Sequence, residues 1–535
     1  MTLIWASRRG LAESEILEIT GLSRIDLSTF LLALEYQFMQ RDGLLDFYHN
    51  FLRAAVQERY LAPSSPNDQE GANGVHLRIA DYFAQRPTTA RKADELPYQL
   101  QRAGALDRLE RAIADIPLFM EFRNGDKEYE LIGYWLAVGE LARMEEAYRA
   151  AMEAYEARTT SPELRARALG ELGDFLMKSG RYQAAEAPLR RALELTEQVH
   201  GETSQPTSER LYKLADLLFN RAEYDAAEPL MQRSLHTRQT LHGDDHEETA
   251  KGLNQLGKLY QMKGEYDRAE PYYRQGLATR QALHGPSHKL VGSGMNLLAF
   301  VLNEQGKYGE AEPLYREAIR VLQGTLGRRH EWTVDAIYNL GMLLQQSQRN
   351  EEAEGLLQES LDAARETFGD NHPKTGSALN ALAITLRHTH RYDEAEPLYR
   401  EALGVWNALL GSEHPYTVIL MYNLAEVLQD RKDYESAEEM YSMARQKFEQ
   451  VLGGDHPLNG HAWFGLGTLY RDMGQPERSA EAFQQALQVR RAALGNHPET
   501  VQTMEAFVPV LRALGKNNDA EALEREIAAM KEALH

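Results

Sequence analysis

Six histidines, each 42 residues from the next, are the first side chains of this 535-residue chain to suggest metal binding. They are His246, His288, His330, His372, His414 and His456, and several precede a proline. Ligands of one zinc ion lie about 2 Å from it, whereas equivalent residues of neighbouring helical layers lie roughly 10 Å apart. We therefore interpret the histidines as turn residues before a helix whose first position often holds proline, and we expect no metal or other cofactor.

The segment GLNQLGKL, residues 252–259, is similar to a phosphate-binding loop, G-x-x-x-x-G-K followed by serine or threonine. Leu259 stands where a hydroxyl would hold magnesium. Gly257 falls inside a predicted helix, where amide hydrogens are already bonded to carbonyls and cannot bind phosphate. The chain also contains no HExxH and no G-x-S-x-G motif. We predict that it is not an enzyme.

Glutamates recur at the same spacing, one for each 42 residues. They are Glu186, Glu228, Glu270, Glu312, Glu354, Glu396 and Glu438. A pair of catalytic carboxylates would need two such groups close together, which one residue per interval does not provide. A carboxylate near the start of a helix interacts favourably with the helix dipole, and we interpret the series in this way.

A series of polar and aromatic residues could bind a peptide. It comprises Tyr212, Asn254, Asn296, Tyr338, Asn380, Tyr422 and Phe464, with Asn339 and Asn423 at the next position and Lys258, Arg387 and Arg471 one or two helical turns further on. Asparagine offers a donor and an acceptor to the backbone of an extended peptide, and tyrosine adds a broad, stiff contact area. Because asparagine is a poor helix former, its recurrence favours binding over mere tolerance of polar residues at exposed positions.

The elements that position these residues follow the same 42-residue spacing. Leucine followed by glycine or alanine recurs at Leu172, Leu214, Leu256, Leu298, Leu340, Leu382, Leu424 and Leu466, and a second stripe contains Ala185, Ala227, Ala269, Ala311, Ala353, Ala395 and Ala437. Each stripe continues at helical spacing. Every interval therefore predicts two amphipathic helices, which bury their shared face by stacking on the next pair.

Glycine and tyrosine mark the ends of these helices. The glycines are Gly201, Gly243, Gly285, Gly327, Gly369, Gly411, Gly453 and Gly495, and the tyrosines are Tyr182, Tyr224, Tyr266, Tyr308, Tyr392 and Tyr434. In the tyrosine series Asn350 occupies the one position that lacks a tyrosine.

These recurring leucine, alanine, glycine and tyrosine positions resemble the tetratricopeptide repeat. The 42-residue length, the sequence AEPLYREAL in the second helix and the HP-x-T before the first are similar to the kinesin light chain subtype. The resemblance covers residues 165–500 and implies an all-α, right-handed superhelical solenoid that binds a protein or peptide in a concave groove.

Residues 1–135 resemble a different family. LIWASRRGLAESEILEITGL (3–22) and ADELPYQLQRAG (93–104) are similar to the winged-helix and helical region of NACHT-type signalling ATPases of the nephrocystin sort. That resemblance implies contact with an NTPase module in the same or another chain. The chain starts after the position at which such an ATPase module would end, so we expect either a fragment of a switch protein or a stand-alone relative without ATPase activity.

Composition excludes several other functions. The net charge of −21 disfavours nucleic acid and anionic membranes as partners, and the only notable basic pair near the N-terminus is Arg8 and Arg9. No run of apolar residues is long enough to span a bilayer. The absence of cysteine excludes disulfides and favours a cytoplasmic protein.

The predicted organisation has six parts. These are a small winged-helix-like domain (1–61), a flexible loop (62–75), a helical connector (76–135), a degenerate helical repeat (136–164), eight 42-residue units (165–497) and a ninth, capping unit (498–535). We expect a protein-binding recognition arm of a signalling or defence assembly. The alternatives are the non-catalytic part of a nucleotide-hydrolysing switch ATPase and a self-associating scaffold. The pattern specifies no oligomeric state.

Overall fold

A computed structural model of the chain describes residues 1–61, 70–125, 127–139, 141–454 and 456–534. Over these ranges the protein is almost wholly helical, and its only two strands are short. The chain divides into two compact units, residues 1–243 (unit 1) and 244–535 (unit 2). No helix within the described ranges is both long and apolar enough to cross a bilayer.

Unit 1 begins with short helices and one hairpin. In order these are α1 (Thr2–Ala6), α2 (Glu13–Thr20), α3 (Arg24–Ala33), a 3-10 turn (Glu35–Gln37), β1 (Phe38–Arg41), β2 (Leu44–Phe47) and α4 (Asn50–Tyr60). The antiparallel strands pair Phe38 with Phe47, and Leu11 bridges to Leu45. The turn between the strands is Asp42-Gly43, and both residues have positive φ, as a tight hairpin turn requires.

Six helices follow in unit 1. They are α5 (Glu70–Ala84), α6 (Ala90–Arg102), α7 (Leu106–Ala114), α8 (Ile116–Asn124), α9 (Glu128–Val138) and α10 (Leu141–Arg158). Among their side chains Trp135 is fully buried and donates a hydrogen bond from Nε1 to the hydroxyl of Tyr148, at 3.2 Å. The predicted loop over 62–75 is corrected at one end, because residues 70–75 are helical, while 62–69 lie outside the described residues. Val75, Ile79 and Phe83 explain the helix, since they place an apolar stripe against the core.

A buried carboxylate fixes the first residues of the chain against α6. Glu95 is fully buried and accepts hydrogen bonds from the backbone N–H of Arg8 at 3.1 Å, from Arg91 at 3.0 Å and from Gln99 at 2.8 Å. Arg91 also donates to the backbone oxygen of Gly10, at 2.7 Å. A buried charge is tolerated only when it is bonded in this way, so these contacts fix residues 8–10 onto α6.

The repeat region consists of helical hairpins. Unit 1 contains α11 (Pro162–Lys178), α12 (Tyr182–His200), α13 (Gln205–Asn220) and α14 (Tyr224–His242). Unit 2 contains α15 (Glu247–Met262), α16 (Tyr266–His284), α17 (Lys289–Glu304), α18 (Tyr308–Leu326), α19 (Glu331–Gln346), α20 (Asn350–Phe368), α21 (Pro373–His388), α22 (Tyr392–Leu410), α23 (Pro415–Asp430), α24 (Tyr434–Leu452), α25 (Pro457–Asp472), α26 (Pro476–Leu494), α27 (Pro498–Ala513) and α28 (Asn517–Leu534). First helices of 16 residues alternate with second helices of 19 residues from α13 to α26.

The two predicted apolar stripes form the core of the hairpins. Every leucine of the first stripe is at most 3% exposed, and every alanine of the second is fully buried. The small residue after each leucine allows the two helices to approach. A methyl group added at Gly257 would lie 2.9 Å from the ring of Tyr273. The predicted pair of amphipathic helices per interval is therefore confirmed.

The glycines of the 42-residue series end the second helix of each hairpin. Each follows the last residue of its helix with a positive φ, for example 81° at Gly243 and 86° at Gly327. Glycine adopts this left-handed conformation without the steric cost that a Cβ atom imposes. The constant position of glycine therefore fixes where each second helix ends.

Candidate peptide-binding surface

The first helices of unit 2 form one continuous surface. Contacts join α17 to α19, α19 to α21, α21 to α23 and α23 to α25. The half-buried side chains on the face that these helices share include most of the predicted binding residues. We call this face the first-helix surface.

Four of the predicted asparagines form two hydrogen-bonded pairs across neighbouring helices. Asn339 donates to Asn296 Oδ1 at 3.1 Å, and Asn423 donates to Asn380 Oδ1 at 3.2 Å. Each bond uses one donor and one acceptor. Outside these bonds lie the amide nitrogens of Asn296 and Asn380 and the Oδ1 atoms of Asn339 and Asn423. Each pair can therefore still bond to a ligand backbone.

Asn254 is directed differently from the other asparagines. Its Oδ1 lies against Gly276 of α16, where a methyl group would come within 2.5 Å of it. The same oxygen is buried and has no hydrogen-bond partner among the described residues. Gly276 therefore admits the Asn254 side chain toward the second helix, which distinguishes it from the paired asparagines.

The predicted aromatic residues also contribute to packing. The ring of Tyr422 lies 5.4 Å from that of Tyr441, and its hydroxyl lies 3.4 Å from Glu426 Oε1. Phe464 lies 5.7 Å from Phe483 and beneath the guanidinium of Arg490, at 4.9 Å. Burial raises the pKa values of the Tyr338 and Tyr422 hydroxyls above their ordinary value. These hydroxyls therefore remain protonated donors at neutral pH.

Tyr212 occupies the corresponding position in unit 1. It is half-buried on α13, and the guanidinium of Arg238 lies 5.7 Å from its ring centre. This arrangement gives a cation–π contact. Tyr212 therefore packs against its own hairpin in the way that Phe464 does in unit 2.

The predicted cations differ in how firmly they are held. Arg387 bonds to Glu426 at 2.6 Å and to Asp430 at 2.7 Å. Burial alone would lower the pKa of Arg387, but these two carboxylates raise it above its ordinary value. Arg471 forms an ion pair with its neighbour Asp472 at 3.0 Å, and the Lys258 side chain is exposed. Arg387 is therefore part of a fixed network, whereas Arg471 and Lys258 lie at the surface.

A cavity of about 380 Å³ opens on the first-helix surface, and we call it the groove cavity. Its lining includes Asn296, Phe300, Asp335, Tyr338, Asn339 and Lys374. Lys374 bonds to Asp335 at 2.5 Å. The sequence interpretation missed Phe300 and Lys374, although Phe300 follows Asn296 by four residues and helical spacing alone places it on the same face. The cavity thus combines an apolar wall with amide and charged groups.

The histidine series caps helices, as the sequence predicted. The Nδ1 atom of each histidine accepts a hydrogen bond from the backbone N–H two residues later, at 3.1 Å for His246 and 3.2 Å for His372. His497, one residue out of register, caps α27 in the same way at 3.3 Å. No group of three metal-ligating side chains occurs within the described ranges.

The glutamate series does more than interact with helix dipoles. Glu270 accepts from Arg274 in its own helix and from Lys307 of the next hairpin, both at 2.7 Å. Glu312 likewise binds Arg349 of the next hairpin at 2.7 Å. Partial burial would raise the pKa of Glu270, but these hydrogen bonds lower it to about 2. The glutamates therefore link neighbouring hairpins.

The two other candidate motifs are explained by structure. Gly257 and Leu259 of the GLNQLGKL segment are buried within α15. Arg8 pairs with Glu130, and Arg9 lies 3.6 Å from Asp94. The basic pair near the N-terminus is therefore neutralised within unit 1.

Comparison with known proteins places the repeats in a family. The tetratricopeptide repeat profile matches residues 164–235, 207–282, 290–349, 333–407, 378–445 and 417–492. Nephrocystin-3 of Mus musculus is 28% identical over 209 residues, which cover 37% of this chain and 15% of nephrocystin-3. A TPR repeat-containing protein of Dictyostelium discoideum is 24% identical over 136 residues, covering 25% of this chain and 8% of that protein. The chain thus spans only a small part of the relatives that it matches.

Two solved structures are also similar. BtubC (BKLC) from P. vanneervenii aligns with a TM-score of 0.39 and 22% identity over 43% of this chain and 92% of that one. A signal transduction ATPase with numerous domains that has a tetratricopeptide repeat sensor, from Pyrococcus horikoshii, aligns with a TM-score of 0.41 and 14% identity, over 76% of this chain and 63% of that one.

The profile matches cover more than half of the sequence, and they fall on the hairpins whose buried leucine and alanine stripes are described above. Repeats of this kind are generally non-catalytic scaffolds that bind other proteins on an extended face. The chain belongs to the tetratricopeptide repeat family.

Proposed function

We propose that unit 2 binds an extended peptide segment of another protein along the first-helix surface. The observation that carries this proposal is the position of the Asn296–Asn339 pair at the groove cavity. The unused donor and acceptor of the pair match the carbonyl and N–H of a peptide backbone. Phe300 would contact an apolar side chain of the ligand, and Lys374 with Asp335 would contact polar groups.

The proposal can be tested with a random peptide library displayed on phage and selected on the full chain. The affinity of the best selected peptide is then measured by fluorescence polarisation against N296A/N380A, which removes one partner of each asparagine pair. Because a hydrogen bond contributes about 1 kcal/mol, we expect affinity to fall roughly tenfold or more.

The matched control is Q281A/Q358A, which removes two exposed amides from the second helices α16 and α20. It should bind the selected peptide as the wild type does. If N296A/N380A also binds unchanged, the peptide site lies elsewhere and the proposal fails.

A second proposal concerns unit 1, where we infer contact with an NTPase module in the same or another chain. Several large apolar side chains of residues 1–61 are exposed, including Ile25 at 78%, Leu32 at 76% and Tyr36 at 87%. Ile25 and Leu32 are seven residues apart on α3 and so share one of its faces, and exposed apolar surface of this kind commonly marks an interaction site. The succession of helices and a β-hairpin supports the expected winged-helix resemblance, which stays a prediction. In this role the repeats would be the recognition arm of a nucleotide-dependent switch.

The unit 1 proposal is tested by purifying the tagged full chain from its native cell and measuring ATP hydrolysis in the purified material. We expect I25D/Y36D to lose the associated hydrolysis. L164D, which changes an exposed leucine of α11, should retain it. The absence of ATP hydrolysis from wild-type material would argue against an NTPase partner.

A further inference from the structure

At the start of α16, the tyrosine of the 42-residue series contacts the following hairpin. Tyr266 donates from its hydroxyl to Glu304 at 3.3 Å, and Glu304 lies 38 residues later on the next first helix. The same tyrosine position is occupied in six hairpins of the chain. The side chain is half-buried at most of these positions.

Asn350 replaces this tyrosine at the start of α20. The residue 38 positions later is His388, at the end of α21. Asn350 and His388 both line a cavity of about 730 Å³, with Gln346, Gln348 and His390. Tyr392, the tyrosine that begins the second helix of the next hairpin, also lines this cavity. The cavity therefore lies beside Asn350, the position of the tyrosine series that lacks an aromatic side chain.

Asn350 also leaves an unmet hydrogen-bonding group at this cavity. Its Oδ1 is buried and accepts no hydrogen bond from any described residue. A buried acceptor without a donor costs free energy that a ligand donor recovers. The site therefore offers space for a ring, and a rotation of the Asn350 side chain would bring this enclosed acceptor to a hydroxyl in the cavity.

We propose that this cavity binds a tyrosine side chain of the peptide ligand. The inference rests on the proposed peptide-binding function and adds one specificity pocket to it. The ligand ring would occupy the space that a tyrosine at position 350 would fill, and its hydroxyl would donate to Asn350 Oδ1 once that side chain has rotated toward the cavity. The size of the cavity falls in the range of ligand pockets, and Arg387, one of the predicted groove residues, lines it.

The charges at the cavity favour a neutral phenol over a phosphorylated one. Arg387 is already bonded to Glu426 and Asp430, and Asp430 itself lines the cavity. Burial, and then the charge of Arg387, lower the pKa of His388, so this histidine is neutral at pH 7. A phosphate group would therefore find no unpaired cation among Arg387 and His388.

The test uses p-cresol, which reproduces the tyrosine side chain, and detects its binding to the full chain by saturation-transfer NMR. We expect a signal with the wild type that N350Y abolishes, because the introduced ring fills the cavity. N407Y adds a tyrosine at an exposed position of α22 and should keep the signal. Circular dichroism checks that N350Y folds, as the tyrosines of the other hairpins lead us to expect.

Two further compounds separate the alternatives. Toluene, which lacks the hydroxyl, should give a weaker signal than p-cresol, and p-cresyl phosphate should give none that N350Y removes. The inference is overturned if p-cresol gives no signal that depends on residue 350, or if the phosphate binds more strongly. N296A/N380A should keep p-cresol binding, so a failure here and a failure of the peptide groove give different results.

Discussion

Two buried polar groups in the second hairpin of unit 2, α17–α18, do not form a hydrogen bond that two other hairpins form. Tyr273 donates to Gln261 at 2.8 Å, and Tyr441 donates to Gln429 at 3.0 Å, in each case to the residue twelve positions earlier. The corresponding pair is Tyr315 and Asn303. Both the Tyr315 hydroxyl and the Asn303 Oδ1 are buried without a partner among the described residues. Asparagine is one methylene shorter than glutamine, which explains the missing bond.

We predict that N303Q stabilises the protein by about 1 kcal/mol, the usual contribution of a hydrogen bond. Urea denaturation followed by circular dichroism measures the change. The reverse substitution, Q261N, should destabilise the α15–α16 hairpin by a similar amount. An N303Q variant of unchanged or lower stability would contradict this explanation.

The candidate site was only partly predictable from the sequence. The spacing of 42 identified Asn296, Asn339, Asn380 and Asn423, which the structure brings together in pairs. It could not reveal that Asn254 is directed toward α16, because that depends on Gly276 leaving room on another helix. The binding role of all these residues stays a prediction.

The His288 cap makes the start of α17 sensitive to acid. This cap requires an unprotonated Nδ1 on His288, which accepts the bond from the backbone N–H of Leu290. Burial, and then neighbouring His284, lower the pKa of His288 below its ordinary value. Its contribution to stability is therefore fully present above pH 6.5 and is lost as the pH falls through the lowered pKa.

We expect the thermal midpoint to fall between pH 7.5 and pH 5.5, and to fall less in H288S, whose serine caps the helix without titrating in that range. Differential scanning calorimetry at several pH values measures both. An equal loss in the two proteins would show that the His288 cap does not contribute to the acid sensitivity.

The glutamate links between hairpins should make the stability of the protein depend on salt. E270Q removes the charge that holds Arg274 and Lys307, and we expect a lower thermal midpoint at low salt. Surface ion pairs contribute up to about 1 kcal/mol and are screened by salt. The difference from wild type should therefore shrink in 1 M NaCl, and a difference that persists at high salt would point to lost packing instead.

Helices were more predictable than the contacts between them. Apolar spacing, together with glycine and proline at the ends, placed the repeat helices because each signal is local to one hairpin. The arginine partners of the glutamate series were not predicted, because they do not recur at one fixed position of the 42-residue interval. Arg221 precedes Tyr224 by three residues, whereas Arg349 immediately precedes Asn350. The helical start of α5 was also missed, because Gly71 and Gly74 suggested a loop.

The last hairpin, α27–α28, covers the end of unit 2. Phe483 and Leu487 of α26 pack against α27 in one apolar cluster with Phe507 and Leu523. Each hairpin of a repeat array is stabilised mainly by its neighbours. Removal of residues 498–535 would expose the apolar face of α26.

We predict that a chain ending at residue 497 has a lower thermal midpoint and binds more of the dye ANS than the full chain. The control is an internal deletion of residues 308–349, which removes one 42-residue unit but keeps the register of the stacked helices. The internal deletion should unfold cooperatively with little dye binding. Equal dye binding by the two deletions would contradict a capping role for α27 and α28.

The burial of Trp135 has a practical consequence. Of the five tryptophans in the chain, this one is fully buried, and it lies 5.3 Å from the ring of Tyr148. The other four are only partly buried. Opening of α9 and α10 would therefore shift the emission of Trp135 to longer wavelengths, so the chain carries its own optical reporter of the integrity of unit 1.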